Sequence, residues 1–91
     1  MAKQLEKVFK ALANNKRLDI LKYLSKEKSA SVSDVAEEIS LSIKSTSKHL
    51  AQLYAADFLA RERKSGLTFY ALNDTMGKLE RGVWALAKNA F

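Results

Sequence analysis

The stretch that decides the fold is Leu41-Ser-Ile-Lys-Ser-Thr-Ser-Lys-His-Leu50. Serine is a favoured N-cap residue, so Ser42 predicts that a helix begins directly after it. The residues expected to be buried recur at the spacing of one helix face, namely Ile43, Thr46, Leu50 and Leu53. The opposite face collects lysines and hydroxyls, where an ordinary surface helix carries acid–base pairs. This composition favours a helix that contacts the bases and phosphates of DNA.

The segments on either side of this helix complete a recognisable order. Residues 33–39 form a short amphipathic segment, for which Ser33 is the predicted N-cap. Residues 58–72 predict a β-hairpin, with Gly66 supplying the positive φ of its turn, and residues 30–32 predict a further short strand. We therefore predict a mainly α fold with a small β-hairpin: a winged helix-turn-helix, its helix pair at about 33–56 and its wing at about 58–72.

Candidate DNA contacts lie on the second helix of this pair and on the hairpin. The N-terminal part of a recognition helix reaches base edges, and basic hairpin residues clamp phosphates. The alternatives are a solvated helix face that lacks acids and a hairpin whose charges prevent aggregation of exposed strands. The predicted contacts are Ser42, Lys44, Ser45, Ser47, Lys48 and His49 on the helix, and Arg61, Arg63 and Lys64 on the hairpin.

Several segments together resemble the ArsR family of winged-helix transcriptional regulators over residues 5–72. The resemblance is carried by Val8-Phe-Lys-Ala-Leu-Ala13, Lys16-Arg-Leu-Asp-Ile-Leu21, Asp34-Val-Ala-Glu-Glu-Ile39, Ser47-Lys-His-Leu50 and Phe69-Tyr-Ala-Leu72, in that order and spacing. The chain departs from the family pattern at Asn14-Asn15, where Asp-Pro is frequent, and at Asp57, where glycine usually closes the recognition helix. Aspartate tolerates the left-handed conformation better than most residues, so the fold is expected to survive the second departure.

The resemblance implies a homodimer formed by the first and last helices. The first helix is predicted at about residues 2–13, and the last at about 75–91 with its start at residues 73–75. Apolar residues of the last helix alternate in steps of three and four, as in a two-helix seam. A helix packed back on its own subunit is the alternative. The predicted dimer-interface residues are Leu5, Phe9, Met76, Leu79, Val83, Leu86 and Ala90.

Composition narrows the possible partners. The 91 residues predict a single domain over 1–91. A chain of this length buries about 60–65% of its unfolded surface, so contact with a partner subunit would add to its stability. A net charge of +6 implies nucleic acid or an acidic membrane surface. No segment resembles a signal peptide or is apolar enough to span a bilayer, so a cytoplasmic protein without membrane insertion is expected.

No metal, cofactor or catalytic site is predicted. Many members of the resembled family sense metals through two cysteines at the start of the helix before the recognition helix, where this chain has Ser31 and Ser33. Other members use Asp and His on the last helix, but residues 75–91 contain no histidine and one acid, Glu80. The sole histidine, His49, lacks an orienting acid beside Ser45, so the chain is not expected to be an enzyme.

These observations predict a sequence-specific regulator of transcription that binds double-stranded DNA as a homodimeric repressor without metal sensing. The sequence does not identify a small-molecule effector. The alternative is a winged-helix module that binds proteins and has no operator. A role at a membrane surface is weaker, because no basic helix carries a large apolar face.

Overall fold

A computed structural model describes residues 2–90 and contains five helices and three short strands. Their order is α1 Ala2–Leu12, α2 Asn15–Lys26, β1 Ala30–Ser31, α3 Val32–Ile39, α4 Ile43–Ala55, β2 Leu59–Lys64, β3 Leu67–Leu72 and α5 Lys78–Lys88. The α3–α4 pair followed by the β2–β3 hairpin is a winged helix-turn-helix, which confirms the predicted fold class.

The core lies where α1, α2, α3 and α4 meet the base of the hairpin. Ile20 of α2 is fully buried, whereas Leu18 of the same helix is only partly buried. Each of these elements contributes to the largest fully buried apolar side chains, which are Val8, Ile20, Leu21, Val35, Leu50, Leu53, Phe58 and Leu59.

Helix α3 begins two residues earlier than the sequence suggested. Ser31, not Ser33, is its N-cap: the Ser31 hydroxyl oxygen accepts from the Asp34 backbone N–H at 3.1 Å. The Asp34 carboxylate in return accepts from the Ser31 backbone N–H at 3.3 Å, which completes a capping box. Ser33 therefore lies inside the first turn of the helix, where it is exposed.

A three-residue turn joins α3 to α4. Ser40 adopts the left-handed conformation with φ 57°, and the Leu41 backbone N–H donates to the Ala36 carbonyl at 3.0 Å, as in a Schellman motif. Ser42 then caps α4, because its hydroxyl oxygen accepts from the Ser45 backbone N–H at 3.1 Å. The prediction that α4 begins directly after Ser42 is confirmed.

Helix α4 ends in a second Schellman motif. Asp57 has φ 68°, the conformation that glycine adopts without strain. The Phe58 backbone N–H donates to the Leu53 carbonyl, and both of these side chains are fully buried. The aspartate is thus accommodated at the position where the resembled pattern has glycine, in a left-handed conformation that disfavours any residue with a Cβ atom.

We expect Asp57→Gly to raise the free energy of unfolding by about 0.5–1 kcal/mol. Relief of the left-handed strain outweighs the greater conformational freedom of glycine in the unfolded chain. Chemical denaturation measures the change. Asp57→Ala is the matched control and should destabilise the protein, because alanine tolerates this conformation less well than aspartate. A glycine variant no more stable than the wild type would contradict strain at this position.

The wing is a hairpin to which β1 adds a third strand. The sheet order is β1-β3-β2, all antiparallel, and Arg61 of β2 lies opposite Tyr70 of β3. The turn consists of Ser65 and Gly66, with φ 51° and 80°. Two successive residues with positive φ are typical of a type I′ turn, which matches the twist of the two strands. The predicted role of Gly66 is confirmed, and Ser65 shares it.

Helix α5 begins at Lys78, later than the predicted start at residues 73–75. The Asn73 side-chain carbonyl accepts from the Thr75 backbone N–H at 3.1 Å, which holds residues 73–75 in a turn, and Met76 after the turn is 7% exposed. Gly77 is the N-cap, and a Cβ atom there would lie 2.7 Å from the Glu80 carboxylate. Phe91, included in the predicted helix, lies outside the described residues.

A buried carboxylate joins the first and last helices. Glu80 of α5 is 6% exposed, and the Gln4 side-chain amide of α1 donates to its carboxylate at 2.6 Å. Because a buried carboxylate is costly without a hydrogen-bond partner, this contact fixes α5 against α1.

Candidate nucleic-acid interface

The exposed face of α4 carries the side chains predicted to contact DNA. Ser42, Lys44, Ser47 and Lys48 are exposed, and Ser45 is half-buried. Thr46, Leu50 and Leu53 on the other face are fully buried, as predicted. The recognition face is thus free of core packing.

Ile43 is an exception to the predicted buried face. Its side chain is 57% exposed, although it lies on the same side of the helix as Thr46 and Leu50. The first turn of α4 extends past the edge of the core, which ends at Thr46. An apolar side chain therefore stands at the start of a polar and cationic surface.

Arg61 lies at the base of the wing, against α4. Its guanidinium is 4.0 Å from the centre of the Tyr54 ring, a cation–π contact with the recognition helix. A side-chain hydrogen bond with Tyr70 raises the pKa of Arg61 above its ordinary value, so the group stays charged. Arg61 fixes the wing relative to α4 and keeps a positive charge beside it.

The other two wing cations lie at the tip of the hairpin. Arg63 donates to the Thr68 hydroxyl at 3.3 Å and to the Gly66 carbonyl at 3.1 Å, which holds its guanidinium across the turn. Lys64 pairs with Glu62 at 3.6 Å on the exposed surface. Arg61, which lies opposite Tyr70, is thus further from the turn than these two residues, and Lys64 lies on the opposite face of the strand from Arg63.

A groove of about 440 Å³ separates α4 from the wing and brings the two predicted contact regions together. Ser47 of α4 and Val32 of α3 line it, together with Arg61, Glu62 and Arg63 of the wing. The helix and the wing consequently face the same side of the molecule. A duplex whose major groove receives α4 would bring its backbone to the wing arginines.

Arg17 connects three helices beside the recognition face, a role that was not predicted from the sequence. Its guanidinium donates to the Ala11 carbonyl at 2.7 Å and to the Lys10 carbonyl at 2.8 Å, at the end of α1. It also contacts the Gln52 side chain and lies 3.2 Å from His49 Nδ1, both on α4. The only signal in the sequence was its position in the family pattern, since all of these partners come from other helices.

His49 is turned towards Arg17 and is partly buried, whereas Lys44 and Lys48 are exposed. With Arg17 as the donor, Nδ1 accepts and the imidazole is neutral. Burial, and next the charge of Arg17, lower the pKa of His49 below its ordinary value. The geometry gives His49 a role in holding α4 to α2, so the predicted DNA contact by His49 has less support than those of the lysines.

We expect the contribution of His49 to the free energy of unfolding to decrease as the pH falls. Below about pH 6.5 the unfolded chain binds a proton on this histidine before the folded chain does. The contribution of His49 is therefore complete above about pH 6.5, and it decreases as the pH falls through the lowered folded pKa. The free energy of unfolding, measured between about pH 5.5 and 8, should vary less in His49→Gln, which cannot titrate. Equal slopes in the two proteins would contradict this assignment.

Membrane-spanning helices and metal-binding groups are both absent from the described residues. No helix within residues 2–90 combines the length and apolar character needed to cross a membrane. Across the same residues, no group of three or more His, Asp or Glu side chains is placed to hold a metal ion.

Comparison with known proteins identifies the family. A sequence model of the bacterial regulatory protein family arsR matches residues 14–61, which include α2, α3 and α4. The arsenical resistance operon repressor of Bacillus subtilis (strain 168) is 34% identical over 74 residues, which cover 81% of this chain and 70% of that protein. The chain belongs to the arsR family. It is therefore a DNA-binding transcriptional regulator of the winged-helix class and not an enzyme.

Solved structures agree with this family assignment. NolR from Sinorhizobium fredii is 28% identical, with a TM-score of 0.77 over 97% of this chain and 85% of that one. The homodimeric winged helix-turn-helix DNA-binding domain of Mb0332 from Mycobacterium bovis, a possible ArsR-family regulator, is 25% identical. Its TM-score is 0.81 over 98% of this chain and 79% of that one. The similarity extends beyond the matched segment to α1, the wing and α5.

Proposed function

We propose that this arsR-family protein is a homodimeric repressor that binds an inverted-repeat operator. The two α4 helices would enter successive major grooves about 34–36 Å apart. The observation that carries the proposal is the groove in which Ser47 of α4 faces Arg61 and Arg63 of the wing. Lys44, Ser45 and Lys48 would contact bases and phosphates beside it.

Support for a dimer comes from apolar side chains on α1 and α5. Leu5, Phe9 and Leu86 are 40%, 54% and 75% exposed, which is unusual for large apolar residues gathered on two helices in contact. The similar Mycobacterium bovis domain is described as homodimeric. The similar Bacillus subtilis protein is a repressor, which supports the same role for this protein.

The predicted set of dimer residues is narrowed by burial. Met76 precedes α5 and is buried in its own core, so we place it outside the proposed dimer contact. Leu79 and Val83 pack partly against that core, and Ala90 is exposed. We therefore place the centre of the dimer contact on Leu5, Phe9 and Leu86.

Selection of bound sequences from random duplexes tests the DNA-binding part of the proposal. The expected result is an inverted repeat whose half-sites are one helical turn apart, bound with a steep dependence on salt. A protein-interaction module without an operator would yield no enriched sequence. Binding that is equal on all duplexes would likewise contradict a sequence-specific repressor.

We also propose that soft metals do not regulate this protein. Zinc and softer ions are usually held by three or four ligands that include thiolates or imidazoles, but the chain has no cysteine and one histidine. A dimer would supply two imidazoles, each held by Arg17. Stoichiometric zinc should leave operator affinity unchanged in fluorescence anisotropy, and a large decrease that a chelator reverses would contradict the proposal.

A further inference from the structure

Ile43 is an exposed apolar residue that neither the core nor the proposed dimer explains. The large exposed apolar side chains in the described part of the chain form a short set: Leu5, Phe9, Ile43, Tyr54, Leu67 and Leu86. Three of them belong to α1 and α5, and Tyr54 lies under the Arg61 guanidinium. Ile43 and Leu67 remain, and only Ile43 is on the helix proposed to enter the major groove.

Ile43 lies at the border between the buried face of α4 and Ser47, and its exposed neighbours along the helix are polar. Ser42, Lys44 and Ser47 are its exposed neighbours within the first turns of α4. These side chains can hydrogen-bond to base edges or phosphates, whereas the isoleucine side chain can do neither. The start of α4 thus presents one apolar group inside a surface suited to a polyanion.

The major groove offers a single apolar group to such a side chain. Among the four bases only thymine carries a methyl group there, at C5, and contact with this methyl is how apolar side chains distinguish bases. Isoleucine is branched at Cβ and stiff about χ1, so little side-chain entropy is lost when it packs. The chemistry of Ile43 therefore matches thymine and no other base.

We propose that Ile43 contacts the 5-methyl group of a thymine in each half-site and selects that base. This inference rests on the proposed function, because it requires α4 to lie in the major groove of an operator. It adds recognition of a methyl group, which the lysines and serines of α4 cannot provide, because their polar groups act by hydrogen bonds to base edges or phosphates.

Replacement of thymine by deoxyuridine in the selected operator tests the contact directly. The substitution removes the methyl group and leaves the Watson–Crick edge intact. With each thymine of a half-site replaced in turn, one position should reduce wild-type affinity about fourfold, the effect of uncovering one methyl group. Replacement in both half-sites should reduce it by about 15-fold.

Two variants assign the effect to Ile43. Ile43→Ala should bind the thymine operator at least fourfold more weakly per half-site and should not distinguish thymine from deoxyuridine. Leu67→Ala removes an equally exposed apolar side chain from the wing and should retain the wild-type preference for thymine. Thermal unfolding verifies that Ile43→Ala folds, as expected for a residue outside the core.

The outcomes separate this inference from the proposed function. An operator that is bound specifically but is insensitive to deoxyuridine at every position overturns the role of Ile43 alone. So does an Ile43→Ala variant that retains the wild-type preference for thymine. Failure to select any operator overturns the proposed function and this inference with it. A thymine preference that is lost only in Ile43→Ala supports both.

Discussion

Leu86→Glu is expected to convert the dimer into monomers while leaving each subunit folded. Leu86 is 75% exposed, so the charge is harmless in the monomer, but in the dimer it would be buried without a partner. Such a buried charge costs about 3–5 kcal/mol, which weakens association roughly 100–4000-fold. Sedimentation should show the smaller species, and operator affinity should decrease because the two half-sites no longer bind as one unit.

The control for this variant is Leu67→Glu. Leu67 is 55% exposed and lies at the wing, so the same substitution changes charge and hydrophobicity without touching α1 or α5. It should remain dimeric. Leu79 is less suitable than Leu86, because it packs partly against its own core and its replacement would also destabilise the subunit. A Leu86→Glu protein that stays dimeric would place the interface elsewhere.

Lys44→Ala and Lys48→Ala are expected to weaken operator binding without a loss of stability. Both side chains are exposed on the face of α4 opposite the buried residues Thr46 and Leu50. A lysine that contacts a base should cost about 1–3 kcal/mol per half-site and relax the preference at one position. One that contacts only phosphate should weaken all sequences equally and reduce the salt slope by about one unit per subunit.

Lys22→Ala is the control for these two variants, because it removes the same charge from a different surface. Lys22 is an exposed lysine of α2 in a cleft shared with α3, which no residue of α4 lines. Its replacement should change operator affinity much less than either α4 substitution. If the three variants bind alike, the effect is one of net charge, and α4 is not the surface that docks on DNA.

Local signals allowed the helix-turn-helix and the wing to be predicted from the sequence. Ser42 and Gly66 act through their immediate neighbours, and their predicted roles agree with the observed cap and turn. The position of Ser31 was missed although its pattern was present, since Ser31 and Asp34 have the spacing of a capping box. Residues 29, 31 and 33 are all serines and therefore all suitable N-caps by residue type. Which of them caps α3 depends on how the helix packs in the folded chain.

Features that depend on distant parts of the chain could not be read in this way. A helical wheel gives the direction of Ile43 but not how far the core extends beneath it. The burial of Met76 just before α5 depends on packing against the core, which the sequence pattern of residues 73–91 does not reveal. The contacts of Arg17 join α1, α2 and α4, so no local pattern could have revealed them.

The hydrogen bond between Gln4 and Glu80 determines how late in synthesis the contact between α1 and α5 can form. These residues are 76 positions apart, one in the first helix and one in the last. A chain is synthesised from its N-terminus, so Gln4 is made long before the residue that accepts its hydrogen bond. The contact between the first and last helices can therefore form only after Glu80 has been added. The surface proposed to pair two subunits also includes Leu86, so it is completed only after the residues of the helix-turn-helix and the wing have been synthesised.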